Sequence, residues 1–111
     1  RPNPGIDPEI DEILGRVDRV KLKLKEYLDK VKRDMSCDMI KYATNRKYRF
    51  QIEVPNEYAK AFEQDPEFFL TQKLSNSKRF YNNEISIMVS DLNSEEHMYK
   101  SRISPLIRDM F

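Results

Sequence analysis

The sequence predicts an α+β fold in which two long antiparallel helices flank a small antiparallel β-sheet head. Apolar residues recur at three- and four-residue steps toward both ends and at two-residue steps in the middle, and Pro, Asn, Ser and Asp punctuate the changes of period. On this reading residues 1–36 are an outgoing helix, 37–82 a β-rich head and 83–111 a returning helix.

The outgoing helix has a strong start. Asp7 is placed to cap it, Pro8 suits the first helical position, and Glu9, Asp11 and Glu12 complement the positive end of the dipole. Ile10, Ile13, Leu14, Val17, Val20, Leu24, Tyr27, Leu28, Val31 and Met35 then share one stripe, with charged residues on the other faces. A helix from Pro8 to Met35 at ~1.5 Å per residue spans roughly 40 Å, close to coiled-coil dimensions, so the stripe needs another helix to pack on. Lys30, Lys32 and Arg33 suit its negative end, and Ser36-Cys37-Asp38 releases the chain.

The period then falls to two. Ile40, Tyr42 and Thr44 alternate with Lys41 and Ala43; beyond Asn45-Arg46-Lys47, the residues Tyr48, Phe50, Ile52 and Val54 alternate with Arg49, Gln51 and Glu53, which predicts a β-hairpin. Pro55 ends its second strand, and Asn56 to Glu67 is a polar connection with room for a short helix. Phe68 to Leu74 and Lys78 to Tyr81 supply two further strands about the turn Ser75-Asn76-Ser77. From Asn83, a residue type that caps helices, Ile85, Met88, Leu92, Tyr99, Ile103, Leu106 and Met110 restore the helical spacing. Pro105 predicts a kink, or a new helix capped by Ser104. The two apolar stripes are each other's nearest partner, so Leu14, Val17, Leu24, Leu28 and Val31 are expected to face Met88, Leu92, Tyr99, Ile103 and Leu106.

Composition narrows the functional classes. Charged residues make up 35% of the 111-residue chain against 39% hydrophobic, a balance that suits long exposed helices better than a thick core. No apolar run is long enough to span a bilayer, Arg1-Pro2-Asn3-Pro4-Gly5 lacks the apolar core of a signal peptide, and a single Cys37 allows no internal disulfide. These features predict a segment of a longer intracellular protein, from a reducing compartment and without a membrane partner. With only Gly5 and Gly15 there is no glycine-rich loop to cradle phosphates, His97 sits beside Glu95 and Glu96 on a charged face, and Cys37 has no spacing partner for a metal. The segment is therefore expected to be no enzyme and to hold no cofactor.

The cations are less evenly spread. Lys41, Arg46, Lys47 and Arg49 flank the first hairpin turn with no acid between them, and Lys73, Lys78 and Arg79 with Ser75, Asn76 and Ser77 form a second acid-free stretch. Lys and Arg interleaved with hydroxyl and amide side chains suit phosphate oxygens, which need donors but no base-specific geometry. The same pattern protects edge strands and keeps hairpin tips soluble, so on charge alone both readings stay open.

Four blocks, in order, carry a resemblance: Pro4-Gly5-Ile6-Asp7 before the long helix, Cys37-Asp38-Met39-Ile40-Lys41-Tyr42, Tyr48-Arg49-Phe50-Gln51-Ile52-Glu53-Val54-Pro55, and Leu74-Ser75-Asn76-Ser77-Lys78-Arg79-Phe80-Tyr81. Together they resemble the lever and clamp region of MutS-family DNA mismatch repair proteins over nearly the whole chain. They are more similar to the eukaryotic Msh6-like branch than to bacterial members, which carry Gly-Tyr where Lys47-Tyr48 stands here. Where bacterial relatives read Lys-Asn-Ala-Glu-Arg-Tyr, Asn76 and Arg79 match, Ser75 replaces a lysine and Lys78 replaces an acid.

The resemblance implies sequence-independent contact with the sugar-phosphate backbone of duplex DNA, by the clamp of a ring formed with a second, Msh2-like subunit. It implies a nuclear protein of the DNA-damage response whose full-length form is a DNA-dependent ATPase using ATP and Mg, while this segment carries neither the mismatch wedge nor the nucleotide motifs. With the charge map it assigns Arg46, Lys47, Lys73, Ser75, Asn76, Lys78 and Arg79 to one phosphate-facing surface. The alternative is a coiled-coil protein-interaction module with no nucleic-acid contact.

Overall fold

The computed structural model describes the backbone of residues 8–108 and the side chains of residues 8–103, so the expected cap Asp7 and the stripe residues Leu106 and Met110 lie outside the described side chains. Helix α1 runs Pro8–Met35, the bounds its start and stop signals predict. It ends in a Schellman motif: Ser36 takes a left-handed φ of 52°, its N–H donates to the Arg33 carbonyl at 3.1 Å, and the Cys37 N–H donates to that of Lys32 at 3.0 Å. The turn drives Cys37 into the core, where it is a buried free thiol.

The head contains β1 (Lys41–Ala43), β2 (Gln51–Pro55), a 3-10 turn (Asn56–Tyr58), α2 (Ala59–Gln64), β3 (Phe68–Lys73) and β4 (Ser77–Asn82). The strands form one antiparallel sheet in the order β1-β2-β4-β3. The inner face carries Tyr42, Ile52, Val54 and Phe80, and it is sealed by α1 and α2. The Tyr42 hydroxyl donates to the Leu24 carbonyl at 2.6 Å, and the Phe62 ring of α2 stacks on Phe80 with centroids 5.4 Å apart. Helix α3 (Asn83–Arg108) then returns along α1.

The ion pairs Arg16–Glu95 and Arg102–Glu9, both 2.9 Å, show that α1 and α3 are antiparallel. The two helices meet on faces centred differently from the predicted stripes, although Val17, Leu24 and Leu92 are buried as expected. Ile13, Val17, Val20 and Leu24 are the buried residues of α1, opposite Ile85, Val89 and Leu92, whereas Leu14 is 39% exposed and Met88 and Tyr99 only half-buried. A stripe defined by spacing alone is wider than one helix can cover, so the seam selects its middle. Leu28, Val31 and Met35 pack at the edge of the core formed with the head.

Two other expectations need correction. Of the two outcomes expected at Pro105, the new helix capped by Ser104 is absent: α3 continues through Pro105 to Arg108. The alternation also fails before β2: Tyr48 and Phe50 are not in a strand, because Phe50 takes a left-handed φ of 63°. Phe50 thereby meets the Tyr42 ring edge-on at 5.2 Å, while Tyr48 lies over the opposite, outer face with its ring 4.9 Å from that of Tyr81.

Burial of tyrosine makes a pH prediction. Desolvation pushes the phenols of Tyr42, Tyr27 and Tyr81 above the ordinary value of 10.0. A raised folded pKa means that the folded state holds its proton more tightly, so this stabilisation is complete below the unfolded value and is lost as pH rises toward the folded one. The urea midpoint should therefore be flat from neutral pH to about pH 9 and fall above about pH 10. Tyr42→Phe should flatten that fall; an unchanged alkaline slope in this variant would refute the assignment.

Candidate nucleic-acid interface

The loop between β1 and β2, residues 44–50, is built by local bonds. The Asn45 side-chain oxygen accepts from the backbone N–H of Lys47 at 3.0 Å and of Tyr48 at 2.8 Å, and the Phe50 N–H donates to the Thr44 hydroxyl at 3.1 Å. These close a turn with Arg46 and Lys47 at its tip. Tyr48 anchors the loop over the outer face through Tyr81 and, at 6.0 Å, Phe69. Arg46 and Lys47 are exposed, and among the described residues neither forms an ion pair. The Lys47 ammonium lies 5.5 Å from the centroid of the Tyr48 ring.

The other five assigned residues lie elsewhere. Ser75 and Asn76 form the turn between β3 and β4, where the Asn56 N–H donates to the Asn76 carbonyl and the Asn56 side-chain amide to that of Ser75. This places the turn just past Pro55, whereas the first loop enters β2 at its other end, Gln51. Lys73 and Lys78 face each other across the β3–β4 pair. Like charges so placed repel, and Lys78 is neutralised by Glu63 of α2 at 2.9 Å, leaving Lys73 exposed.

Strand alternation turns Arg79 to the face opposite Lys78. There its Nε donates to Glu53 at 2.9 Å and its Nη1 to Gln72 at 2.8 Å, with Lys41 a second cation 3.6 Å from the same Glu53 carboxylate. Only 20% of the Arg79 side chain is exposed. The seven residues thus fall into a loop tip (Arg46, Lys47), a turn beside the other end of β2 with its flanks (Lys73, Ser75, Asn76, Lys78) and an internally paired Arg79.

Arg49, counted by sequence among the tip cations, points away from the tip. Its guanidinium grips Glu96 of α3 through both nitrogens, at 2.6 and 3.2 Å, and Nη1 also donates to Asn93 at 2.8 Å. The hydrogen bond from Arg49 holds the Glu96 carboxyl below its ordinary value. Nothing in the local sequence signals this contact, because the partners lie 47 positions apart. His97 is exposed beside it. Among the described residues no three His, Cys, Asp or Glu side chains group as a metal site, and no helix is long and apolar enough to cross a membrane.

An antiparallel helix pair interrupted by a four-stranded head is what the four sequence blocks anticipate, and residues 5–97 match the model of MutS family domain IV. The chain belongs to the MutS family, as domain IV rather than the family's ATPase domain. A relative is the DNA mismatch repair protein Msh6 of Gallus gallus, 27% identical over 110 residues. That alignment takes in 99% of this chain, which spans only 8% of the length of that curated relative.

Proposed function

We propose that this segment is the clamp of a MutS-type mismatch-repair protein and binds the sugar-phosphate backbone of duplex DNA without reading sequence. The observation that carries the proposal is the loop tip, where Arg46 and Lys47 are exposed, without an acid partner among the described residues, and held on a turn closed by Asn45. Cations on a firm turn give phosphate a preformed site at little ordering cost. Lys73, Ser75 and Asn76 offer further donors from the β3–β4 turn and its flank, while Lys78 and Arg79 would first have to leave Glu63 and Glu53. The family membership extends the proposal to the parent protein: a nuclear, DNA-dependent ATPase using ATP and Mg, which closes around DNA with an Msh2-like subunit. The alternative is a coiled-coil interaction module whose charged faces recruit a protein partner, with the basic tips serving only solubility.

Salt separates the two readings. In the full-length protein with its partner subunit, retention on end-blocked duplexes is measured at several salt concentrations for Arg46→Glu/Lys47→Glu, with Lys21→Glu/Lys23→Glu on α1 as the charge-matched control. The tip variant should lower the slope of log affinity against log salt by about 0.9 per lost contact, the control should not, and matched and mismatched duplexes should lose retention equally. An unchanged slope, or an equal change in the control, would show that the tip is only solvated charge.

A further inference from the structure

The Arg49 contact has no role in phosphate binding as described above, yet it is the most elaborate polar contact between the head and the helix pair. One guanidinium makes three hydrogen bonds to two residues of α3, from 2.6 to 3.2 Å, with the two side chains of the pair 32% and 30% exposed. The backbone pays for it: Phe50, a bulky residue, is held at a φ of 63°, a conformation that costs on account of its Cβ. Gln51, next in sequence and wholly buried, leaves its Nε2 without a hydrogen-bond partner among the described residues. Strain and an unsatisfied amide in the two residues that follow Arg49 mean that the surroundings enforce this loop conformation.

The same loop is fastened on its other side to the sheet. Tyr48 packs on Tyr81 and Phe69, and the Asn45 amide lies 3.5 Å from Gln72, which also accepts from Arg79. Residues 44–50 therefore bridge the outer face of the head and the body of α3. Their exposed tip is the Arg46–Lys47 pair.

The geometry points to Arg49 as a positioning residue: by locking the loop to Glu96 and Asn93 it fixes the attitude of the Arg46–Lys47 tip relative to α3, so that the phosphate-facing tip and the long helix move as one body. This inference rests on the functional reading given above and adds the element that joins the tip to the helix. A bidentate guanidinium–carboxylate contact suits the task because its planar fork fixes orientation as well as distance. Lysine at the same place would keep the charge and lose the fork.

Two readouts separate positioning from direct contact. Amide hydrogen exchange over residues 44–50 needs no DNA, and for Arg49→Gln it should accelerate roughly tenfold while the core strands keep their protection. In the full-length protein with its partner, the same variant should weaken duplex retention with the salt slope unchanged, because the number of phosphate contacts is unchanged. Arg49→Lys should fall between, and the exchange Arg49→Glu/Glu96→Arg should recover most of the protection. If Arg49→Gln does not fold, Arg49→Lys and the charge exchange carry the same comparison.

A salt slope lowered by about 0.9 with unchanged amide exchange would overturn the inference and make Arg49 a phosphate ligand itself. Unchanged exchange and unchanged retention, or a charge exchange that restores nothing, would overturn it too. Failure of the Arg46–Lys47 test would remove the DNA reading alone, since the exchange measurement still decides whether Arg49 holds the loop.

Discussion

Phe80→Ala should destabilise this chain by about 3–5 kcal/mol, the range for emptying a fully buried aromatic site. Phe80 is 1% exposed, it lies on β4 opposite Ile52 of β2 and Leu70 of β3, and its ring stacks on Phe62. Removing it uncouples α2 from the sheet as well as hollowing the sheet itself. Phe69, on the outer face and 47% exposed, is the control: Phe69→Ala loses edge contacts to Tyr48 and Tyr81 and should cost no more than about 1–2 kcal/mol. Urea titration followed by circular dichroism reads both. Equal losses would mean that the two faces of the head contribute alike, against the burial seen here; Phe80→Leu, which keeps most of the volume, provides the comparison if the alanine variant does not fold.

The second large effect is expected at the joint between head and helix. Asn82 is 4% exposed, its side-chain oxygen accepts from the Ile85 N–H at 2.8 Å, and its amide donates to the Tyr27 hydroxyl of α1 at 2.7 Å. It therefore caps α3 and ties the start of α3 to α1 at once. Loss of the cap is worth about 1 kcal/mol, and leaving the half-buried Tyr27 oxygen without its donor adds a similar amount, so Asn82→Ala should cost about 2–3 kcal/mol. Asn82→Ser keeps a capping oxygen without the amide and should recover about half of that. Asn83→Ala should change stability by less than about 0.5 kcal/mol, since Asn83 is exposed and carries no cap. A larger loss at Asn83 than at Asn82 would place the cap one residue later.

That one-residue difference shows how far local reasoning reaches. Asn82 and Asn83 are the same residue type at adjacent positions, and only the last ladder contact of β4, Asn82 opposite Phe68, decides which of them faces inward to cap. The period of the apolar residues was enough for the elements themselves: α1 has the bounds that Pro8 and Ser36 announce, β3 and β4 lie where alternation puts them, and a short helix fills the connection after Pro55. Each of these is settled within a few residues, by capping, by proline and by the pitch of a helix or the pleat of a strand.

The candidate interface divides along the same line. That Arg46, Lys47, Lys73, Lys78 and Arg79 are cations in acid-free stretches is written in the order of residues. Which of them are free for a phosphate is decided by side chains distant in sequence: Glu53 meets Arg79 across 26 positions and Glu63 meets Lys78 across 15. Sheet order β1-β2-β4-β3 puts the first loop and the β3–β4 turn beside opposite ends of β2, and the left-handed turn at Phe50 sends Arg49 to α3 instead of to the tip. Periodicity cannot foresee these outcomes. It records which way a backbone prefers to run, whereas ion pairing and strand order depend on which distant elements the buried core has already brought together.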